Sequence, residues 1–339
     1  MKKKKKSATV YDVARLAGVS PSTVSRFLNR TTYVSDSKSQ RIEDAVKKTG
    51  YKPAFHMQQD LSRRSMTIGV LVQHPDSPYT ATILNDMEKT LISKGYSLVM
   101  ASGHWQSKLE THALEYLIKS NVDGIIIITG NLKKECILST AKSIPVVTVG
   151  YDVQGENICS LNLDNVMGGY IATLHLLQQG HKNIAHIKGL SAQPDAGARF
   201  KGYKKALEEA NIPVNPKLVK QGDFGMDLGY NATKELIDSN IYFSAIFAAN
   251  DLTAYGAIKA LHDNGLKVPQ DVSVVGFDDL STSKYFTPAL TTLRQPIEEI
   301  GTVCANSILS LVVKGQFEAR MPPIDLIVRQ STSSIFGKN

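Results

Sequence analysis

Short apolar runs rich in β-branched residues alternate with amphipathic stretches from residue 67 to the end of the chain. The apolar runs predict nine strands, at 67–72, 97–101, 123–129, 145–150, 159–164, 183–189, 218–221, 245–249 and 272–276. The stretches between them predict helices near 79–94, 107–120, 133–142, 165–180, 196–211, 225–239, 252–265 and 297–313. Near-continuous apolar strands separated by helices are typical of parallel sheets covered on both faces. Nine strands exceed one small sheet, so the pattern predicts two α/β subdomains that divide near Asp164. Ligands bind such sheets at the carboxyl ends of the strands, which here points to the cleft between the subdomains.

The N-terminal stretch 9–29 has a different pattern, that of two short helices around a tight turn. Thr9 is placed to cap the first helix, which is followed by Gly18, a residue that tolerates the left-handed dihedrals of a helix end. Ser20 and Pro21 suit the start of the second helix. The inward face of the first helix repeats at i, i+3, i+4 and i+7, as Val10, Val13, Ala14 and Ala17. This pattern predicts a helix-turn-helix.

The second helix of this pair carries an outward face of short, donor-rich side chains and one long arginine. Its members are Ser22, Thr23, Ser25, Arg26 and Asn29. Such a face suits the major groove of DNA, and we expect Ser22, Thr23 and Arg26 to reach base edges, with Arg26 reading guanine. An ordinary helical hairpin is the alternative.

A third helix over 36–49, with Ile42, Ala45 and Val46 on one face, completes a small all-α domain that we place at residues 1–53. Residues 54–66 follow as a polar hinge without a core face of its own. This hinge is either a linker or a segment that becomes helical only on binding.

Charge is unevenly distributed along the chain. The net charge of the 339 residues is +8, whereas residues 1–65 alone hold nine lysines and six arginines against five acids. The remaining 274 residues therefore carry a net charge of −2. A basic module on a nearly neutral body suggests binding to a polyanion. For the run Lys2–Lys6 alone, a solvated charge cluster is the alternative.

Other classes of protein are disfavoured. Cys136, Cys159 and Cys304 are widely spaced, without the spacing of a metal site, and no set of nucleophile, base and oxyanion donors stands out. We therefore expect no enzyme, no metal and no cofactor. The longest apolar runs are too short to span a bilayer, and the lysine-rich start lacks the apolar core of a signal peptide. We expect a cytoplasmic protein with no membrane partner.

Long blocks of the chain resemble one family of regulators. YDVARLAGVSPSTVSRFLN, YKP, LNLDN, ARFKGY, FAANDLTAYGA, VSVVGFDDL and PALTTLRQP occur in the order found in the lactose-repressor/galactose-repressor (LacI/GalR) family. The resemblance implies a helix-turn-helix head followed by a two-lobed core similar to periplasmic sugar-binding proteins. The expected first lobe is 67–164 plus about 295–323, and the second is 165–294 plus about 324–332, before a tail at 333–339.

The resemblance also implies an effector site between the lobes. Asp164, Arg199, Asn250 and Asp278 match effector-site positions of the family, and their carboxylates, amide and guanidinium suit the hydroxyls of a sugar. Phe224 falls where the family places an aromatic residue on the sugar face. Alternatives remain open: Asp164 and Asp278 as caps of helices or turns, Arg199 as a surface residue, and Phe224 as part of the core. Tyr79 occupies a comparable position on the other lobe.

Further residues are assigned to DNA. We expect Thr9, Tyr33, Ser35 and the lysine arm to hold phosphates. Family hinges insert a leucine into the minor groove, and by spacing that position falls on Asp60 in this chain, with Leu61 next to it. Either Leu61 or Met57 supplies the wedge, or the protein bends DNA little.

These expectations describe a homodimeric, sequence-specific DNA-binding repressor. Its partners would be a pseudo-palindromic double-stranded operator and a small carbohydrate-like effector. Two alternatives stay open: a regulator of the same fold with a protein or purine-like co-repressor, and a sugar-binding protein or enzyme.

Overall fold

The N-terminal head is a bundle of three short helices. A computed structural model of the protein describes residues 9–29, 34–49, 64–316 and 320–335. Helix α1 spans Val10–Ala17, α2 spans Pro21–Asn29 and α3 spans Asp36–Thr49. Gly18 closes α1 with a φ of 61°, in the left-handed region that its missing side chain allows. The shared core is made by the apolar face that the sequence predicts, namely Val13, Ala14, Ala17, Val24, Ile42 and Ala45.

Residues from 64 onward form a separate compact unit built on two sheets. The first sheet contains β1 (Thr67–Val72), β2 (Ser97–Ser102), β3 (Gly124–Ile128), β4 (Val146–Val149) and β5 (Ile158–Leu161). Its strands are all parallel, in the order β2-β1-β3-β4-β5. Helices α4 (Pro78–Ile92), α5 (Ser107–Lys119) and α6 (Lys134–Ala141) connect them. This sheet with its helices is called the first lobe below.

The second lobe is built on the other sheet. Its strands are β6 (Ile184–Ile187), β7 (Val219–Lys220), β8 (Ala245–Ala248), β9 (Ser273–Asp278), β10 (Thr291–Arg294) and β11 (Asp325–Ile327). They are ordered β11-β10-β9-β8-β6-β7, and β11 is antiparallel to β10. The helices are α7 (Asn165–Gln178), α8 (Pro194–Glu209), α9 (Met226–Asp238) and α10 (Asp251–Asp263). The sequence pattern did not predict β10, because TTLR is short and half polar.

The chain crosses between the lobes more than once. Helix α11 (Ile297–Lys314) follows β10 of the second lobe, but its buried face joins the core of the first sheet. Gly301 of α11 lies directly against the backbone of Ile83 in α4, where a side chain would collide. Strand β11 then returns to the second sheet. The connections between β10 and α11 and between α11 and β11 therefore pass from one lobe to the other.

Candidate functional site

The outward face of α2 in the head has its hydroxyls arranged around Ser20. The Ser20 hydroxyl lies 2.8 Å from the hydroxyls of both Ser22 and Thr23, and the Thr23 N–H donates to it at 3.2 Å. Ser22 and Arg26 are exposed, while Thr23 is half-buried. Ser20 thus caps α2 and orients two of the residues expected to read bases.

The residues expected to hold phosphates have local roles in the head. The Asp12 N–H donates to the Thr9 hydroxyl oxygen at 3.4 Å, and the Thr9 N–H donates to the Asp12 Oδ2 at 2.9 Å, which makes a capping box for α1. The Ser35 carbonyl accepts from the N–H groups of Lys38 and Ser39 at the start of α3. Tyr33, Met57, Asp60, Leu61, Lys2–Lys6 and the side chain of Asn29 lie outside the described residues. The assignments to DNA remain predictions.

A cleft of about 380 Å³ opens between the two lobes. Five of the six residues expected at the effector site line it: Tyr79, Arg199, Phe224, Asn250 and Asp278. The other lining residues are Gln73, His74, Asp76, Ser77, Pro78, Thr80, Trp105, Thr129, Gln193, Asp195, Asp223, Gly225, Leu252 and Gln295.

Asp164 is the residue that the structure places elsewhere. Its side chain is exposed, accepts from the Met167 N–H at 2.8 Å and caps α7. It is not among the residues that line the cleft, and its observed contact is the helix cap that the sequence offered as the alternative; the effector-site assignment of Asp164 stays a prediction. The neighbouring Asn165 turns towards the cleft residues instead.

Arg199 on α8 is held from several sides and is only 4% exposed. Its Nε donates to the Asn165 Oδ1 at 2.9 Å, and its Nη1 donates to the carbonyl of Ala249 at 2.6 Å. The guanidinium lies over the Phe277 ring, 3.7 Å from its centroid. Nη2 makes no hydrogen bond with any part of the chain that the structure describes. Both N–H groups of this nitrogen therefore remain for a ligand.

A close crossing of α7 and α8 sets the position of Arg199. Gly169 of α7 lies against the backbone of Arg199, and Gly202 of α8 lies against the carbonyl of Val166. Any side chain at either glycine would collide with the facing backbone, so the helices approach closely. This approach brings Asn165 within reach of Arg199.

Two carboxylates flank the guanidinium. The Asp278 Oδ1 accepts from the Gln295 Nε2 at 2.7 Å and lies 3.9 Å from the Arg199 Nη1. The Asp195 Oδ1 accepts from the Asn165 Nδ2 at 3.0 Å. Burial raises the pKa of both carboxyls, and the Arg199 charge opposes that rise only in part. Each carboxyl keeps one oxygen for which no protein hydrogen bond occurs among the described residues.

Tyr79 of α4 brings a hydroxyl from the first lobe towards these acids. Burial raises the pKa of Tyr79, and the charges of Asp278 and Asp195 raise it further. The phenol is therefore protonated at neutral pH and available as a hydrogen-bond donor.

Phe224 supplies an aromatic surface on the second lobe. Its backbone has a φ of 71°, and its ring covers Gly189, where a side chain would collide with the ring. The Asn250 Nδ2 donates to the Phe224 carbonyl at 3.0 Å, while the Asn250 Oδ1 accepts from the Thr253 N–H at 3.0 Å. Asn250 thus uses both ends of its amide to hold the loop of Phe224 against the start of α10.

Trp105 forms the facing wall on the first lobe, and a hydrogen-bonded network holds its backbone at a φ of 57°. The Gln73 Oε1 accepts from the Trp105 N–H at 2.8 Å, and the Asn131 Nδ2 donates to the Trp105 carbonyl at 3.2 Å. The fully buried Glu110 accepts from the Asn131 N–H at 2.7 Å. Burial raises the pKa of Glu110.

Several of these residues escaped the sequence-based prediction. Trp105 lies three residues after the end of β2, Asp195 lies in the first turn of α8, the helix that follows β6, and Gln295 directly follows β10. A search of the segments after each strand would have found the first two. Gln295 carried no such signal, because its strand was not predicted.

Two kinds of feature are absent from the described ranges. Residues 9–29, 34–49, 64–316 and 320–335 contain no group of three or more His, Cys, Asp or Glu side chains that could hold a metal ion. The same ranges contain no helix long and apolar enough to cross a membrane.

Comparisons with known proteins cover both units of the chain. A family model for the bacterial regulatory proteins of the lacI family matches residues 9–54. A model for the periplasmic binding proteins and sugar binding domain of the LacI family matches residues 65–329. The HTH-type transcriptional repressor PurR of Photorhabdus laumondii subsp. laumondii is 34% identical over 316 residues, which cover 92% of this chain and 93% of PurR.

Solved structures are similar over nearly the full length. The transcriptional regulator CelR in complex with cellobiose has a TM-score of 0.71 and 32% identity, covering 96% of this chain and 99% of CelR. The Lac repressor dimer bound to operator and the anti-inducer ONPF has a TM-score of 0.72 and 28% identity, covering 97% of this chain and 100% of that one.

Proposed function

Because this chain belongs to the LacI family and is a DNA-binding helix-turn-helix repressor with an effector-binding core, we propose that a carbohydrate-like molecule in the cleft controls its operator binding. One observation carries the proposal. The Arg199 guanidinium lies between two carboxylates, with aromatic walls on both lobes. Carboxylates and a guanidinium fork match vicinal hydroxyls, and aromatic faces match the apolar face of a sugar ring.

A purine-like co-repressor is the second candidate, supported by the similarity to PurR. A purine base offers ring N–H donors to the carboxyls of Asp195 and Asp278, but it has no vicinal hydroxyls to pair with the guanidinium and the carboxyls together. The similarity to the CelR–cellobiose structure supports the carbohydrate instead. We expect the cleft to bind its effector without converting it.

The DNA interface is proposed on the head and hinge. Ser22, Thr23 and Arg26 would reach base edges, with Asn29 among the DNA-binding residues of the same helix. Thr9, Tyr33 and Ser35 would hold phosphates, and Leu61 or Met57 would enter the minor groove. We keep the proposed boundaries of 1–53 for the head and 54–66 for the hinge. A protein that regulates chromosomal operators is expected in the cytoplasm.

A dimer is the proposed assembly, since two heads are needed for two half-sites of a pseudo-palindrome. Light scattering at micromolar concentration is expected to give the mass of two chains, and a tetramer mass would contradict this proposal.

Trp105 provides a direct test of the effector class, because it is the single tryptophan of the chain and lines the cleft. The full-length protein is titrated with cellobiose, ribose, galactose, hypoxanthine and guanine while Trp105 emission is followed. A saturable change with a sugar, accompanied by altered operator affinity, is the expected result. A response to the two bases alone would favour the purine-like candidate. A Trp105→Phe variant controls for changes that do not come from the cleft.

A further inference from the structure

The cleft lining has an excess of negative charge. It contains four aspartates, Asp76, Asp195, Asp223 and Asp278, and one arginine, Arg199. No lysine occurs among its lining residues in the part of the chain that the structure describes. The two inner acids are buried or half-buried, and the two outer acids are exposed.

The positive charge of Arg199 is already engaged by the protein. Asp278 lies 3.9 Å from it, the Asn165 and Ala249 oxygens accept two of its N–H groups, and the Phe277 ring covers one face. A phosphate or carboxylate is normally held by several converging donors, whereas the lining residues in the described part of the chain include a single arginine and no lysine, and the Asp278 Oδ1 lies 3.9 Å from that arginine.

Two of the helix N-termini near the cleft have an acid in their first turn. The partial positive charge at the start of α8 faces Asp195 in its own first turn. At the start of α10, the Asn250 side chain accepts from the Thr253 N–H, and Asp251 occupies the first turn. The start of α4, which also lines the cleft, has no acid in its first turn, but the exposed Asp76 directly precedes its N-cap residue Ser77.

The acids of the cleft also affect the pKa values of Asp278 and Tyr79. Burial raises the pKa of Asp278, and the neighbouring Asp251 and Asp195 raise it further. Burial raises the pKa of Tyr79, and the charges of Asp278 and Asp195 raise it further. Ionisation of the Asp278 carboxyl and of the Tyr79 phenol to a negatively charged form is therefore disfavoured in this cleft.

We infer that the cleft selects effectors without net negative charge, so that an uncharged or amino-bearing sugar binds and its phosphorylated counterpart is rejected. This inference rests on the proposed function, since it takes the cleft as the effector site. The exposed carboxylates of Asp76 and Asp223 attract ammonium groups and repel a phosphate, and the inner carboxyls of Asp195 and Asp278 offer oxygens to hydroxyl donors. A phosphate that enters the cleft also loses part of its hydration.

The first arm of the test requires no effector. Quenching of Trp105 emission by caesium and by iodide is measured on the full-length protein and normalised to N-acetyltryptophanamide at matched ionic strength. Caesium is expected to quench about twofold more efficiently than iodide, because the cation is concentrated and the anion depleted in a negative cleft. Equal quenching, or stronger quenching by iodide, would overturn the inference.

A matched pair of variants locates the charge. Asp223→Asn removes a lining carboxylate and keeps the Oδ1 that accepts from the Gly225 N–H at 2.8 Å. Asp227→Asn removes an exposed carboxylate on the first turn of α9, outside the lining. The asymmetry between caesium and iodide is expected to shrink in Asp223→Asn and to stay unchanged in Asp227→Asn. An equal loss in both variants would assign the asymmetry to the overall charge and overturn the inference.

The second arm uses paired probes: glucose with glucose 6-phosphate and glucosamine, and ribose with ribose 5-phosphate. We expect the phosphate ester to bind about tenfold or more weakly than its parent sugar. An ester that binds more tightly than its parent would overturn the inference. If no sugar of either kind binds, the carbohydrate proposal loses its support, and the quenching arm alone decides whether the cleft rejects anions.

Discussion

Arg199 and Asp278 lie 3.9 Å apart in the cleft, yet each makes a shorter hydrogen bond to an uncharged group. The Arg199 Nη1 donates to the Ala249 carbonyl at 2.6 Å, and the Asp278 Oδ1 accepts from the Gln295 Nε2 at 2.7 Å. Each residue is 4% exposed. The pair is thus part of the packing between the strand ends as well as of the cleft surface.

Replacing Arg199 is therefore expected to affect stability as well as binding. Arg199→Ala leaves Asp278 and Asp195 without their neighbouring cation, at a cost on the order of 3 kcal/mol. Urea unfolding followed by Trp105 emission reports on the two-lobed unit alone, because the head contains no tryptophan. Asp278→Asn is the comparison: it removes a carboxyl whose ionisation is disfavoured by burial, so its loss of stability should be smaller. Equal midpoints for wild type and Arg199→Ala would disprove this account.

His186 is expected to make the protein less stable in acid. Its ring stacks on Phe200, Tyr203 and Phe247, and burial lowers its pKa to about 4. The unfolded chain takes up a proton near pH 6.5 and the folded chain does so only near pH 4, so stability is lost as the pH falls between these values. This linkage amounts to about 2 kcal/mol between pH 7 and pH 5. Urea titrations at pH 7 and pH 5 give the free energy of unfolding of each protein. That free energy should differ less between the two pH values in His186→Phe than in wild type. An identical pH slope in the variant would refute the assignment.

Glu110 is expected to make the protein less stable as the pH rises, which is opposite to the effect of His186. Its carboxyl is fully buried, and its Oε1 is without a hydrogen-bond partner in the described part of the chain. Because burial raises its pKa in the folded state, the unfolded chain releases this proton first, and stability falls as the pH rises above about 4.5. Glu110→Gln should remove that fall while keeping an oxygen for the Asn131 N–H. The check is to measure the free energy of unfolding of Glu110→Gln and of wild type from pH 4 to pH 8. The same pH dependence in both proteins would contradict this prediction.

Arg26 is expected to carry base discrimination on the outward face of α2. Arg26→Ala should weaken operator binding by about 1–3 kcal/mol and flatten the preference at one base pair. Arg15→Ala is a matched control on α1, where Arg15 is exposed and pairs with Asp12 at 3.2 Å. The control should not alter the ratio of operator to random-DNA affinity at fixed salt. An unchanged ratio for Arg26→Ala would remove Arg26 from the base contacts.

The hinge gives a further prediction. If Leu61 is the apolar wedge, Leu61→Ala should weaken operator binding and leave non-specific binding nearly intact. Asp60→Ala should strengthen both modestly, because it removes a charge that phosphates repel. Equal operator affinities for wild type and Leu61→Ala at fixed salt would rule out the wedge.

Local patterns in the sequence determined the element types and the resemblance to the family. The capping of α1 by Thr9 and the end of that helix at Gly18 depend on a few adjacent residues, so they are readable in advance. The buried strand Gly124–Ile128 likewise follows from its own continuous apolar run. Strand β10 escaped prediction because its hydrogen bonds come from β9 and β11, and its own TTLR composition is half polar.

Only the tertiary structure decided which polar side chains meet in the cleft. The sequence located the start of α7, but the close crossing with α8 determined that Asn165 reaches Arg199 while Asp164 stays exposed. Hydrogen bonds with Gln73 and Asn131 hold the backbone of Trp105, and Asn131 also donates to Glu110; both partners are far from these residues along the chain. Burial and neighbouring charges set the ionisation of such groups, and both depend on segments that converge only after folding. The charge of the cleft is therefore a property of the packed lobes rather than of any local motif.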